Sequence, residues 1–269
     1  MVIDFHTHVF PDKIAEKAMA NLEQNIIDIQ GKSYPPCGKG TLDSIVEIMR
    51  RDGVDISVVL PIAATVTQSA SINRFAREIN GRDGIISFGS LHPNQEDWEE
   101  VLEEIKESGL KGIKLHPEYQ KTYVNSPEVI RILKKAEELG LYTVFHSGRD
   151  IGMPEPVHCK PEYLREALGH VSGERIIAAH LGGWRSWDEV EKYLVGTPIM
   201  FDTCYVKGFI SPEQFKRIVR NHGSEKILFG SDMPWQAPSE SIEFLNSIDL
   251  SQDELDNIYY KNAARILNL

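Results

Sequence analysis

Ser126-Pro-Glu-Val-Ile-Arg-Ile-Leu-Lys-Lys-Ala-Glu-Glu-Leu-Gly-Leu-Tyr-Thr-Val-Phe-His-Ser-Gly148 holds one complete helix-then-strand unit. Ser126 followed by Pro127 reads as a helix N-cap with proline at the first helical position. Apolar residues then recur at helical spacing to Leu139, and Gly140 supplies the stop. Leu141–Phe145 is a short apolar run with a strand's composition, and it ends on His146. The same order repeats along the chain. Further strands are predicted at Val2–Phe5, Ile56–Leu60, Ile85–Leu91, Gly112–Leu115, Arg175–Ala179, Ile199–Phe201 and Ile227–Phe229. Helical stretches between them include Thr41–Arg51, Gln95–Ser108, Pro161–His170, Trp187–Leu194 and Pro212–Asn221. Eight strand–helix repeats in 269 residues predict an α/β fold, a (β/α)8 TIM barrel forming a single domain over 1–269. An open doubly wound sheet is the alternative. One connection is oversized: Val9 to Gly40 after the first strand, with a helix at Asp12–Glu23 and a Gly/Pro-rich loop at Gly31–Gly40. An insertion at that end of a strand is where a substrate lid belongs.

The balance of 29 basic and 40 acidic residues leaves a net charge of −11. Such a surface repels nucleic-acid phosphates and anionic membranes, so a small-molecule substrate is the expected partner. Assembly into a homo-oligomer stays open. Cys37, Cys159 and Cys204 are too few and too scattered for a disulfide framework or a zinc knuckle. The start of the chain lacks the charge and apolar run of a signal peptide, and no stretch has the length of a membrane span. A cytoplasmic location is the expectation.

The histidines carry the chemistry. Of nine, six (His6, His8, His92, His116, His146 and His180) fall near the C-terminal end of a predicted strand. In a parallel barrel those ends open on one face, the active-site face. His6 and His8 are two apart, so in a strand both rings point the same way and can close on one cation. Alone, such a pair could equally be polar turn residues; its place after Ile-Asp-Phe favours the metal. Asp232, after the eighth strand, reads either as a helix N-cap or as a carboxylate ligand or proton acceptor. Lys114 and His116 share a strand face; a lysine paired with a barrel carboxylate such as Asp4 is the preferred reading. His170 and His222 read as surface residues on helices. Arg149, His158, Trp184 and Lys207 lie in loops after strands and, with His116, are candidates for binding substrate. Cys159 has only His158 beside it, which makes a poor nucleophile.

Taken in order, Val2-Ile-Asp-Phe-His-Thr-His8, Phe145-His-Ser-Gly148, Ala179-His-Leu-Gly-Gly183 and Phe229-Gly-Ser-Asp-Met-Pro-Trp235 resemble the fingerprints of the amidohydrolase superfamily. The likeness is greatest to the branch that includes aminocarboxymuconate-semialdehyde decarboxylase and related small-molecule hydrolases. It spans nearly the whole chain. The resemblance implies one divalent ion, Zn2+, held by His6, His8, His146 and Asp232. It also implies catalytic roles for His180 and Asp232 as proton acceptors, since zinc lowers the pKa of its water to about 7. A second ion on His180 is the variant seen in two-metal relatives. The implied activity is hydrolysis of a small amide, ester or lactone. Non-oxidative decarboxylation of a conjugated or aromatic carboxylate on the same site is the rival. A metal-free sugar-phosphate barrel would want a glycine-rich loop after strands 7 and 8, where this chain has Cys204-Tyr205 and Asp232-Met-Pro-Trp235.

Overall fold

In a computed structural model describing all 269 residues, the alternating pattern becomes eight parallel strands with helices in the crossovers. The strands are β1 (Ile3–Thr7), β2 (Ile56–Val59), β3 (Ile85–Ser87 and, past Phe88, Gly89–Ser90) and β4 (Gly112–Leu115). They continue as β5 (Tyr142–Phe145), β6 (Ile176–Ala178), β7 (Met200–Asp202) and β8 (Ile227–Leu228). Every pairing is parallel and joins strands consecutive in sequence, the order of a (β/α)8 barrel. The ladder breaks at Phe88, where Phe88 N donates to Val59 O (2.9 Å). Between β8 and β1 there is no continuous ladder. Single bonds run there from Phe5 N to Phe229 O (2.8 Å), Asp232 N to His6 O (2.9 Å) and His8 N to Met233 O (2.7 Å).

Local sequence accounts for the helix ends. The Ser126 and Ser211 hydroxyls accept from Val129 N and Gln214 N, and each is followed by proline at the first helical position. The helix after β1 runs Asp12–Gln30, a full turn and more beyond Glu23, and stops at left-handed Gly31. With the loop behind it, this insertion touches three other loops over the barrel mouth. Gln30 donates to Ile151 O, Cys37 N donates to Pro234 O, and Tyr34 faces Phe209. No helix is long and apolar enough to cross a membrane.

The barrel axis is filled by Ile3, Phe5, Val58, Leu60, Phe88, Val144, Ile177, Met200 and Leu228. Strand alternation would then turn His6 and His8 outward, because they are out of phase with Ile3 and Phe5. The structure resolves this with a slip. Asp4 pairs with Ser57 but Thr7 with Val59, so β1 carries one extra residue between them. An inserted residue reverses the facing of everything beyond it. Phenylalanine therefore fills the axis below, and imidazoles occupy the same axis above.

His222 departs from its expected place at the surface: it is 2 % exposed and stacks on Phe201. Its Nδ1 accepts from Gly196 N and its Nε2 donates to Ile199 O, so only the neutral ring satisfies both partners. Burial, with help from Lys226, lowers its pKa to about 4 from 6.5. The unfolded chain then binds this proton at a higher pH than the folded one. The His222 contribution is complete above pH 6.5 and is lost as pH falls toward 4, by about 3 kcal/mol. Urea unfolding of wild type and His222→Gln should show a stability gap that narrows across that window. A gap unchanged from pH 7 to 4 would refute the assignment.

Candidate metal centre

Three groups from the two ends of the sequence converge at the barrel mouth. His6 Nε2 and His8 Nε2 are 3.2 Å apart, and Asp232 Oδ1 lies 3.1 Å from His8 Nε2 and 3.5 Å from His6 Nε2. Ligands around a tetrahedral ion at about 2.0–2.1 Å are about 3.3 Å from each other. The spacing fits a small divalent cation.

The proton positions agree. His6 Nδ1 is 2.7 Å from Asp202 Oδ2, and His8 Nδ1 is 2.9 Å from Leu60 O. Those oxygens only accept, so each Nδ1 carries the hydrogen and each Nε2 is left with a lone pair. Burial, reinforced by Lys114, depresses His6 to about 4, so the ring is neutral at pH 7. Burial pushes the Asp232 carboxyl upward, but the His8 hydrogen bond and the neighbouring imidazoles outweigh it and hold it at about 2. Two lone pairs and a carboxylate this close repel, and a cation among them relieves the repulsion; the chain itself supplies only the Lys114 amino group beside His6 Nε2, 3.1 Å away.

A second imidazole pair adjoins the first. His180 Nε2 is 3.0 Å from His146 Nδ1. His180 Nδ1 donates to Cys204 O (3.0 Å) and His146 Nε2 to Arg149 O (3.2 Å), so here too the facing nitrogens are both lone pairs. Burial, then His116 and His180, holds the His146 pKa far below 6.5.

The family model described as Amidohydrolase matches residues 3–269. The chain belongs to the amidohydrolase family. No curated protein sequence matches it. Among solved structures, it is similar to an uncharacterized TIM-barrel protein from Bordetella bronchiseptica, with TM-score 0.78, 16 % identity and coverage of 99 % of this chain and 98 % of that one. A probable 2-pyrone-4,6-dicarboxylic acid hydrolase from Acinetobacter baumannii matches with TM-score 0.66 and 16 % identity, over 100 % and 99 % of the chains. A 5-carboxyvanillate decarboxylase from Novosphingobium aromaticivorans, with bound manganese, matches with TM-score 0.67 and 12 % identity, over 100 % and 97 %. Both hydrolases and decarboxylases thus share this barrel.

Around the centre of this amidohydrolase, some expected residues gather and others do not. His6, His8 and Asp232 form one cluster of metal-binding atoms within 4.8 Å, and His180, Cys204 and Asp232 form another. His146 stands beside them, grouped with His116 and Asp150. Its ring stacks on His116 and meets His180 edge-on, and His116 in turn lies flat on Tyr119. Asp150 Oδ2 approaches His116 Nε2 at 3.3 Å and anchors that stack. Lys114 does not pair with Asp4. Its buried Nζ is 3.1 Å from His6 Nε2, on the axis side of β4. Asp4 lies in the row of Ser57 on the other face of β1, where Ser231 and His6 N hydrogen-bond it.

The loop candidates divide. Trp184 is buried and donates from Nε1 to Tyr205 O. His158 is held by Glu118, 2.7 Å from its Nδ1. Arg149 and Lys207 instead point to the surface, in ion pairs with Glu155 and Glu243. Cys159 is fully buried and its thiol is pushed up to about 12 by burial, which leaves it inert.

Asp202 was missed by sequence reading. It receives His6 Nδ1, His180 N and Cys204 N together, and these bonds hold it below the ordinary carboxylate range against the opposing effect of burial. Its signal was available: Asp202 ends an apolar strand, as the histidines do. Gly148 explains how the loops of His146 and His180 come together. It has φ +82°, and a Cβ there would lie 2.3 Å from Trp184 N. Only glycine admits that approach. Five of the eight non-glycine residues with positive φ are His180, Leu181, Arg185, Tyr205 and Asp232, all just beyond β6, β7 or β8. Backbone strain of this kind gathers at working sites.

Proposed function

We propose that this amidohydrolase hydrolyses a small amide, ester or lactone with a single divalent ion, zinc, held by His6, His8, His146 and Asp232. One observation carries the reading: four imidazoles have one nitrogen committed to a protein acceptor and leave the other as a lone pair, His6 facing His8 beside Asp232 and His146 facing His180. Three nitrogens and one carboxylate oxygen are a ligand set that suits zinc. Bound there, a divalent cation polarises a carbonyl and makes water nucleophilic at neutral pH. His180 has the free Nε2 to take the proton from that water. Asp202, whose Oδ1 accepts from His180 N (3.0 Å), and Asp232, whose carboxylate lies within 4.8 Å of a His180 ring nitrogen, place negative charge beside the imidazolium that results. His116, fixed flat by Tyr119 and Asp150, and Trp184 form walls against which a small substrate is oriented.

Hydrolysis is favoured over decarboxylation because the loop cations are engaged elsewhere and Lys114, the basic side chain at the centre itself, has its Nζ 3.1 Å from His6 Nε2. Loss of CO2 calls for a basic clamp on the departing carboxylate. Arg149 and Lys207 are engaged in surface ion pairs, and Arg185 lies over the Trp184 and Phe209 rings. Turnover of a panel of lactones, esters, amides and aromatic carboxylates in water enriched in heavy oxygen tests the choice. The expected product gains one labelled oxygen. Release of CO2 without incorporation would establish the rival reaction instead.

A further inference from the structure

Lys114 stands in a row of the barrel that is otherwise apolar. It pairs in register with Val144, and the row continues through Ile177 to Met200. Those three fill the axis. Lys114 is itself among the largest fully buried side chains, 1 % exposed. Methionine or leucine would complete the row with no polar end to bury. Lysine instead carries an amine from this row up to the histidines, where its Nζ is 3.1 Å from His6 Nε2. That nitrogen is its one hydrogen-bond partner, and no carboxylate oxygen comes within 4.0 Å of Nζ. Because His6 Nδ1 donates to Asp202, Nε2 has a single lone pair to give. It can accept from Lys114 or ligate an ion, but not both. With His6 serving as a ligand, every N–H of a buried amine faces the centre without an acceptor in the chain. Such a group is costly to bury unpaired, and what it lacks is an oxygen at the centre.

We propose that Lys114 is a catalytic residue whose Nζ donates a hydrogen bond to the substrate carbonyl oxygen as that oxygen becomes negative. This rests on the hydrolytic reading above. A donor on the attacking water would hold back its electron pair, whereas one on the carbonyl oxygen meets charge as it grows. In the step it assists, the water oxygen bonds to the carbonyl carbon while the carbonyl π pair moves onto the oxygen facing Lys114. The water proton passes to His180 Nε2. When the carbonyl re-forms, the bond to the leaving group breaks and that group departs with the proton from His180. Lys114 keeps its own protons throughout, and it donates equally as ammonium or as amine.

Lys114→Met and Lys114→Leu both remove the amine and leave a side chain of the kind that fills this row. Whichever folds by circular dichroism is compared, metal-loaded, with wild type. Three quantities are measured: metal content, the calorimetric Kd of acetohydroxamate, and kcat and KM on an ester or lactone from the panel. Acetohydroxamate carries an oxyanion and binds a divalent ion whatever the enzyme's reaction. Expected are equal metal content, acetohydroxamate binding about tenfold weaker or more, and a kcat lower by about 10²–10³-fold with KM nearly unchanged. If wild type releases CO2 but the variant still loses acetohydroxamate affinity, the donor role stands and the hydrolytic reading fails. Unchanged kcat or unchanged Kd overturns the proposal. Metal lost along with the amine overturns it too, because Lys114 would then be a ligand. So does wild-type holoenzyme that does not bind acetohydroxamate.

Discussion

His6→Ala,His8→Ala protein is expected to purify folded and without its divalent ion. Both rings lie on the axis above the apolar filling, so removing them leaves the Phe5–Phe88 contact and the layer around it intact. What disappears is two of the nitrogen lone pairs that face Asp232 at 3.1 and 3.5 Å. A carboxylate with one remaining imidazole does not retain an ion through dialysis, because each lost ligand removes a large share of binding free energy. Turnover should fall to the uncatalysed level. Elemental analysis beside circular dichroism is the check. Full metal occupancy in the folded double variant would remove His6 and His8 from the centre.

His180→Asn should behave in the opposite way with respect to metal. Asparagine can still donate toward Cys204 O but has no basic nitrogen to take a proton. If His180 is the base, the ion stays and turnover falls by about 10²–10⁴-fold. The facing nitrogens of His146 and His180, 3.0 Å apart, make this a sharp distinction. Metal lost in proportion to activity would make His180 a ligand and bring the centre nearer to the two-metal type. Measuring metal content and kcat on the same preparation separates the two outcomes.

Much of this molecule is legible in local sequence because its signals act over a few residues. Ser126-Pro127 and Ser211-Pro212 start helices, Gly140 stops one, and the apolar runs are strands to within a residue or two. The repeat of these units fits a barrel, and barrel topology alone sends every strand end to one face. The congregation of His6, His8, His116, His146, His180 and Asp232 at one mouth therefore follows from sequence plus one fold rule.

Contacts between residues far apart in the chain decided the rest. That His6 and His8 face the axis at all depends on the slip between Asp4 and Thr7, which appears only when β1 is paired with β2. Lys114 reaches His6 rather than Asp4 for the same reason. Asp202 selects the His6 tautomer across 196 residues, and Glu118 holds His158 across 40. Arg149 and Lys207 looked like substrate anchors because position in a loop does not say whether Glu155 or Glu243 is nearer. His222 seemed a surface residue because only packing against Phe201 shows that its helix buries that turn. Periodicity and capping energies are local, so the sequence by itself determined the strand–helix order and the set of chemical groups at the mouth. Lone-pair direction, ion pairing and burial depend on the distance between side chains. Tertiary structure alone sets those distances.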